Sequence, residues 1–278
     1  MKKTLSVDIL SSRKPKKIRL LNNVKYIQCD ITKKKKLEKK ITKNYDFVVN
    51  LGGYVDHTNK QKTFESHYNG SVNLANIFRK RNVKSFVQIG SSGEYGNNKS
   101  PHKENSKCNP RSNYALAKYL STKYMIMLSK KYKFPVKIIR FYQIYGPRQD
   151  LNRFLPIVIK NCLRKKKFDT SDGTQYRDFL FIDDAVKAII KSIYSTKANG
   201  KIINIGFGKA FNLKKIIHKI QNITKGGKIN FGKIKMRPEE NQITFPSITR
   251  AKKILKWRPK VSLNKGLNST IKFFRETK

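Results

Sequence analysis

Acidic residues are scarce in this chain: 17 Asp and Glu stand against 63 Lys and Arg in 278 residues, a formal charge of +46. Cysteine is scarce as well. The three thiols, Cys29, Cys108 and Cys162, are too few and too scattered for a disulfide framework or a zinc site, so no metal is expected. No stretch approaches the roughly 18–20 consecutive apolar residues that cross a bilayer, which excludes a membrane-spanning helix. The opening Met1-Lys2-Lys3 precedes an apolar run that Asp8 and Ser11 interrupt, which argues against a secretory signal. A cytoplasmic protein with free thiols is the expectation. Internal repeats and low-complexity linkers are also lacking, which excludes solenoids and tail-like chains.

The excess of positive charge invites a nucleic-acid reading, because lysine-rich and arginine-rich surfaces attract phosphate backbones. The lysines are spread along the whole chain, however, and greatly outnumber the arginines. The densest runs, Lys33 to Lys36 and Arg164 to Lys167, fall on expected helix surfaces or helix ends. Nucleic acid is therefore not the expected ligand.

What is present is an alternation of short apolar runs with amphipathic segments. The runs Val7–Leu10, Val24–Cys29, Phe47–Leu51, Ser85–Ile89, Val136–Phe141, Phe179–Ile182 and Ile202–Ile205 read as strands. Helical patterns lie near Lys33–Thr42, Thr63–Arg81, Tyr114–Tyr132, Arg153–Cys162, Asp184–Tyr194, Leu213–Thr224, Ser247–Leu255 and Leu263–Arg275. This order predicts an α/β, Rossmann-like, doubly wound parallel sheet, with functional residues just beyond the carboxyl ends of the strands. Residues 1–150 and about 172–205 are assigned to the sheet-bearing part, and about 151–171 with 206–278 to a smaller C-terminal lobe.

Three segments carry groups suited to chemistry: Gly90-Ser91-Ser92-Gly93-Glu94-Tyr95-Gly96 after a strand, Asn109-Pro110-Arg111-Ser112-Asn113-Tyr114-Ala115-Leu116-Ala117-Lys118 entering a helix, and Arg140 to Arg148. Tyr-x-x-x-Lys sets a phenol and an ammonium one helical turn apart, where the cation favours the phenolate. A serine hydroxyl nearby can hold the reacting oxygen while the tyrosine exchanges its proton. The spacing occurs three times, as Tyr95/Lys99, Tyr114/Lys118 and Tyr119/Lys123. Context selects Tyr114 and Lys118: the pair follows a Pro-x-Ser-x entry, Ala115 and Ala117 permit close approach, and Ser92 lies one connection upstream. Asp183 and Asp184 read as helix-capping residues.

With these motifs in order, the chain resembles the extended short-chain dehydrogenase/reductases of the nucleotide-sugar epimerase/dehydratase family. Asp30-Ile31 resembles the segment that contacts the adenine, Val49-Asn50-Leu51-Gly52-Gly53 the segment lining the cofactor, and Asn69 to Leu74 the central helix motif. Gly173 to Asp184 and Arg237-Pro238, with Ala251 to Pro259, resemble the second-lobe and C-terminal signatures. The resemblance implies catalysis by Ser92, Tyr114 and Lys118, with Glu94 either a base or a structural hydrogen-bond partner. It implies cofactor contacts from Asp30, Ile31, Leu51, Gly52, Gly53, Tyr114 and Lys118. Gln143, Arg153, Arg177 and Arg237 would join Ser92 in holding a nucleotide-sugar substrate, paired guanidinium forks being suited to a diphosphate. A homodimer through the helices at 63–81 and 114–132 is implied as well.

The glycine-rich strand–turn–helix that opens the family fold is lacking, and Val7–Leu10 corresponds to the family's second strand. Gly90, Gly93 and Gly96 match the glycine spacing, yet Asn-Asn-Lys-Ser-Pro follows them, so they are assigned to the catalytic-serine loop. The loss should expose the neighbouring strand edge. Where an acidic residue would hold the ribose of NAD, the chain has Ser11-Ser12-Arg13-Lys14, so Arg13 suggests NADP, with NAD the alternative. The expected reaction is reduction or epimerisation at C4 of a nucleotide-linked hexose. The competing expectation is an N-terminally truncated or degenerate non-catalytic member that binds nucleotide sugar, and after it a basic nucleic-acid-binding protein.

Overall fold

β-Branched and aromatic runs form the strands, and the central ones lie parallel because helix-length crossovers separate them. In chain order the elements are β1 (Val7–Ser11), β2 (Val24–Gln28), α1 (Lys34–Lys40), β3 (Phe47–Asn50), α2 (Lys60–Phe64), α3 (Gly70–Arg79), β4 (Ser85–Ser91), α4 (Asn113–Tyr132), β5 (Val136–Phe141), β6 (Gln143–Tyr145), α5 (Phe154–Leu163), β7 (Lys167–Asp169), β8 (Tyr176–Arg177), β9 (Phe179–Phe181), α6 (Ile182–Tyr194), β10 (Ile202–Ile205), β11 (Phe211–Asn212), α7 (Leu213–Thr224), β12 (Lys228–Asn230), β13 (Ile243–Thr244), α8 (Thr249–Leu255) and α9 (Leu263–Glu276). The structure, a computed structural model, describes residues 5–277 apart from 16, 18, 19, 55, 57 and 237–239. Arg237, expected to hold substrate, lies outside the described residues.

The central sheet runs in the order β10–β5–β4–β3, all parallel, and β1 with β2 forms a separate parallel pair. The sheet is thus in two pieces. Among the described residues β1 ladders only with β2, and β3 only with β4. The break lies between β1 and β3. Its edges show the consequence: Val7 and Ile9 on β1 are 44% and 38% exposed, whereas every residue of β5 is buried. A side-chain bond crosses the break, from Tyr45 Oη to Asp8 Oδ2 at 2.7 Å.

Three cores hold the molecule. On one sheet face Leu37 of α1, Leu74, Ile77 and Phe78 of α3, and Met125 and Leu128 of α4 pack on Phe86, Val136 and Ile138. On the other face Ala185 and Ala188 of α6, Ala251 and Leu255 of α8, and Trp257 cover Val87, Ile139 and Ile203. The third core joins α5, α7 and α9 through Leu155, Ile159, Ile216, Ile220, Leu267 and Ile271. Asp184 fastens the last segment in place: its Oδ2 accepts from the Lys260 and Val261 amides, each at 2.8 Å, and its carbonyl accepts from Trp257 Nε1 at 3.0 Å. It is a buried staple for the C-terminal segment rather than a simple cap.

Candidate active site

The site begins where β4 ends. Ser91 caps the 3₁₀ turn Ser92–Tyr95: its hydroxyl accepts from the Gly93 amide at 3.1 Å, and its own amide donates to Glu94 Oε1 at 2.8 Å. This capping box leaves two orphan donors satisfied and fixes the loop. Gly90 and Gly96 make room that a side chain would fill, and Gly93 lies against α4. A Cβ on Gly90 would lie 2.5 Å from Glu94 Oε1, one on Gly93 would touch Ala115 Cβ at 3.4 Å, and one on Gly96 would lie 1.6 Å from the Asn109 carbonyl oxygen. The glycine spacing therefore serves a carboxylate, a helix and a neighbouring backbone, in keeping with the serine-loop reading.

Glu94 is held within the loop. Its Oε2 accepts from Arg140 NH2 at 2.6 Å and from Nε at 2.9 Å, and both side chains are buried. Of its two expected parts, these contacts are those of the structural one: the carboxylate is occupied by Arg140 and by the Ser91 amide. Arg140 also lies over the Tyr95 ring, 4.6 Å from its centroid, and donates to Cys108 Sγ at 3.3 Å.

Ser112 caps α4 by accepting from the Ala115 amide at 3.2 Å, which points the first turn, with Tyr114, at the serine loop. Ala115 and Ala117 are buried and allow the close approach. The Tyr114 phenol is pushed up by burial, opposed by a side-chain hydrogen bond with Ser91. Ser91 is thus the serine set against the phenol, one residue before the expected Ser92; Ser92 instead lines an adjoining cavity. Lys118 is buried and donates to the Ile89 carbonyl at 2.8 Å, and burial lowers its pKa to about 8. The expected lowering of the tyrosine by the lysine is not what the environment produces, since desolvation dominates at both groups. The His67 ring stands edge-on to Tyr114, with centroids 4.8 Å apart.

The remaining expected residues gather along the carboxyl edge of the strands. Arg13 is exposed in the bend after β1, its amide donating to Ser11 Oγ at 3.3 Å. Asp30, after β2, accepts from the Thr32 amide at 2.9 Å, and Asn73 of α3 holds the Ile31 carbonyl at 3.0 Å. Leu51, 68% exposed, leads into Gly52 and Gly53 after β3. A Cβ on Gly53 would lie 1.9 Å from His67 Cε1, so only glycine fits that floor. Arg153 precedes α5 and lowers the Tyr114 phenol through its charge.

A cavity of about 220 Å³ lies between the serine loop and the second lobe, lined by Ser92, Arg111, Gln143, Arg177, Asp178 and Glu240 among others. Asp178 is buried and pushed up to about 7 by desolvation, although the amides of Phe207, Gly208 and Lys209 donate to its carboxylate at 2.7, 2.6 and 3.2 Å. It shapes the loop after β10. The residues present fit the nicotinamide and adenine ends of a dinucleotide: a buried, partly depressed lysine beside a phenol, and a glycine floor that side chains would fill. Among the described residues no glycine-rich turn stands at the pyrophosphate position.

Sequence reasoning did not single out Ser91 or the pairing of Arg140 with Glu94. Nothing in two adjacent serines distinguishes them; the turn geometry does. A lone arginine inside a strand buried on both faces is a legible signal, because such a charge requires an acidic partner.

A parallel α/β sheet with Tyr-x-x-x-Lys and a serine at its carboxyl edge defines a Rossmann-like fold. Residues 1–206 match the NAD dependent epimerase/dehydratase family, and the chain belongs to it. It is 30% identical over 266 residues to the UDP-glucuronate 4-epimerase of Thermodesulfobacterium geofontis, covering 91% of this chain and 80% of the relative. It is also 30% identical over 203 residues to an uncharacterised UDP-glucose epimerase, YtcB, of Bacillus subtilis, covering 72% of this chain and 63% of that relative. The UDP-glucuronic acid 4-epimerase of Bacillus cereus, solved with UDP-glucuronic acid and NAD, superposes with a TM-score of 0.83 at 26% identity, covering 94% of this chain and 84% of that one. No helix among the described residues is long and apolar enough to cross a membrane, and none of their His, Cys, Asp and Glu side chains group in threes or more to hold a metal ion.

Proposed function

We propose that the protein carries out oxidoreduction at C4 of a nucleotide-linked hexose, with reduction of a 4-ketosugar as the net reaction. The observation that carries this is the half-buried Tyr114, its phenol hydrogen-bonded with Ser91 and one helical turn from Lys118. A bound nicotinamide supplies the hydride donor or acceptor. Tyr114, kept protonated by burial, gives its proton to O4 of the ketone, and Ser91 holds that oxygen. Lys118, anchored on Ile89, orients the phenol and stabilises the phenolate that remains. Glu94, bound to Arg140, is not free to remove protons elsewhere on the sugar, which disfavours dehydration.

Arg177 and Arg153 are proposed to hold the nucleotide diphosphate, Gln143 the sugar-phosphate end, and Arg13 the 2′-phosphate of NADP. Asp30, Ile31, Leu51, Gly52 and Gly53 are proposed as the cofactor wall. We also propose a homodimer through α3 and α4, where Leu116 and Met127 are about two-fifths exposed.

A second reading, 4-epimerisation, is favoured by the UDP-glucuronate 4-epimerase relative that matches 91% of this chain. The two differ in whether the keto intermediate is reduced once or re-reduced from its other face. The test is to supply the full chain with NADPH and nucleotide 4-ketosugars, and separately with UDP-glucuronate and UDP-glucose. Stoichiometric loss of nicotinamide absorbance supports the reductase. Epimer formation without net consumption supports the second reading. Neither result, with cofactor bound, would overturn both.

A further inference from the structure

Arg177 is the buried cation of the cavity, and most of its guanidinium is already committed. NH1 donates to the carbonyl oxygens of Tyr176 at 2.9 Å and Gln242 at 3.2 Å. NH2 meets Glu240 Oε1 at 2.5 Å, and the Glu240 side chain is about one-third exposed. The next residue reaches the other way: Asn241 donates to the Gly96 carbonyl. Residues 240 and 241 therefore span the cavity from the second lobe to the serine loop. The charged end of that span sits on the nitrogen that an incoming anion would need.

We propose that Glu240 is an internal competitor for the anion site on Arg177, occupying with its carboxylate the place that a diphosphate oxygen must take. This rests on the reading that a nucleotide sugar enters this cavity. A carboxylate attached to the chain loses little freedom when it pairs with Arg177, so it holds the site against weak anions. A diphosphate offers more charge and several oxygens to the guanidinium fork, and can displace it. A neutral nucleoside or sugar gains nothing from the exchange. Glu240 thereby sets how much anionic charge a ligand needs to enter, which is selection by a built-in repulsion.

The test is titration calorimetry of the whole chain with UDP, and with uridine as the uncharged control. The variants are Glu240→Gln, Arg177→Met and the two together. Glu240→Gln should bind UDP about tenfold more tightly, the effect of removing one like charge from a partly exposed anion site, and leave uridine unchanged. Arg177→Met should weaken UDP, and in that background Glu240→Gln should give no gain. Unchanged or weaker UDP binding by Glu240→Gln would overturn the competitor while leaving the nucleotide-sugar reading intact, since the carboxylate would then be a ligand contact. A gain that persists without Arg177 would also overturn it. Failure of UDP to bind wild type and variant alike would overturn this inference and the nucleotide-sugar reading together.

Discussion

Arg140 of β5 and Glu94 of the serine loop meet at 2.6 Å with side chains only 1% and 0% exposed, and the same carboxylate caps the turn that presents Ser91. A central strand is thereby wired to the serine loop through one ion pair. Desolvating both groups is costly, and their attraction offsets that only while both are present.

Breaking this pair from either side should be severe. Glu94→Gln is expected to lose about 3–5 kcal/mol of unfolding free energy by leaving a buried guanidinium without its counter-charge, and Arg140→Met should lose a similar amount. The double variant should recover part of the loss. Denaturant unfolding of the three proteins measures this, and additive losses would show that the two residues do not act as a pair.

The two serines should separate in steady-state kinetics. Tyr114→Phe is expected to lower kcat by about 10²–10⁴ through loss of the proton donor. Ser91→Ala should lower it more than Ser92→Ala, because Ser91 contacts the phenol whereas Ser92 lines the adjoining cavity. An equal or reversed order would return the role to Ser92.

Lys118 should give the pH profile its alkaline limb. Its ammonium, lowered to about 8 by burial, loses its proton as pH rises through that value. The rate of ketone reduction should therefore fall above about pH 8. Lys118→Arg, whose guanidinium stays charged, should abolish that limb whatever its effect on the rate at neutral pH. A limb unchanged in the variant would assign it to another group.

Lys137 offers a stability test away from the site. It is 1% exposed in β5, its ammonium donating to Ser85 Oγ at 2.6 Å, and burial lowers it to about 8 from 10.5. Between those values the folded state binds fewer protons than the unfolded one. The cost of burying the ammonium is therefore absent above the unfolded pKa and grows to its full size as pH falls through about 8. At neutral pH the buried ammonium is a cost, so Lys137→Met should stabilise by about 1–3 kcal/mol. The gain should shrink from about pH 8 upward, as read from Tm against pH.

Periodicity made most of the fold legible. Val136–Phe141, Ile202–Ile205 and Leu213–Thr224 form as the pattern predicts, and the serine loop and α4 fall where their motifs place them. The limits are physical. Which of Ser91 and Ser92 faces Tyr114 depends on a capping turn, not on residue type. The lysine–tyrosine spacing suggests a lowered phenol pKa, but the spacing is silent on desolvation, which proves larger. Glu240 on Arg177 joins residues 63 positions apart, and no local pattern encodes such a pairing.

The two-piece sheet has a consequence for motion. The β1–β2 ribbon is joined to β3 by no backbone ladder among the described residues, so it can open as a local unit well below the free energy of global unfolding. Its amides should exchange with solvent faster than those of β4 and β5. Arg13 and Asp30 ride on that ribbon, while Tyr114 and Lys118 ride on the rigid half. A dinucleotide gripping both would have to freeze the ribbon, and part of its binding energy would be taken up as lost conformational entropy.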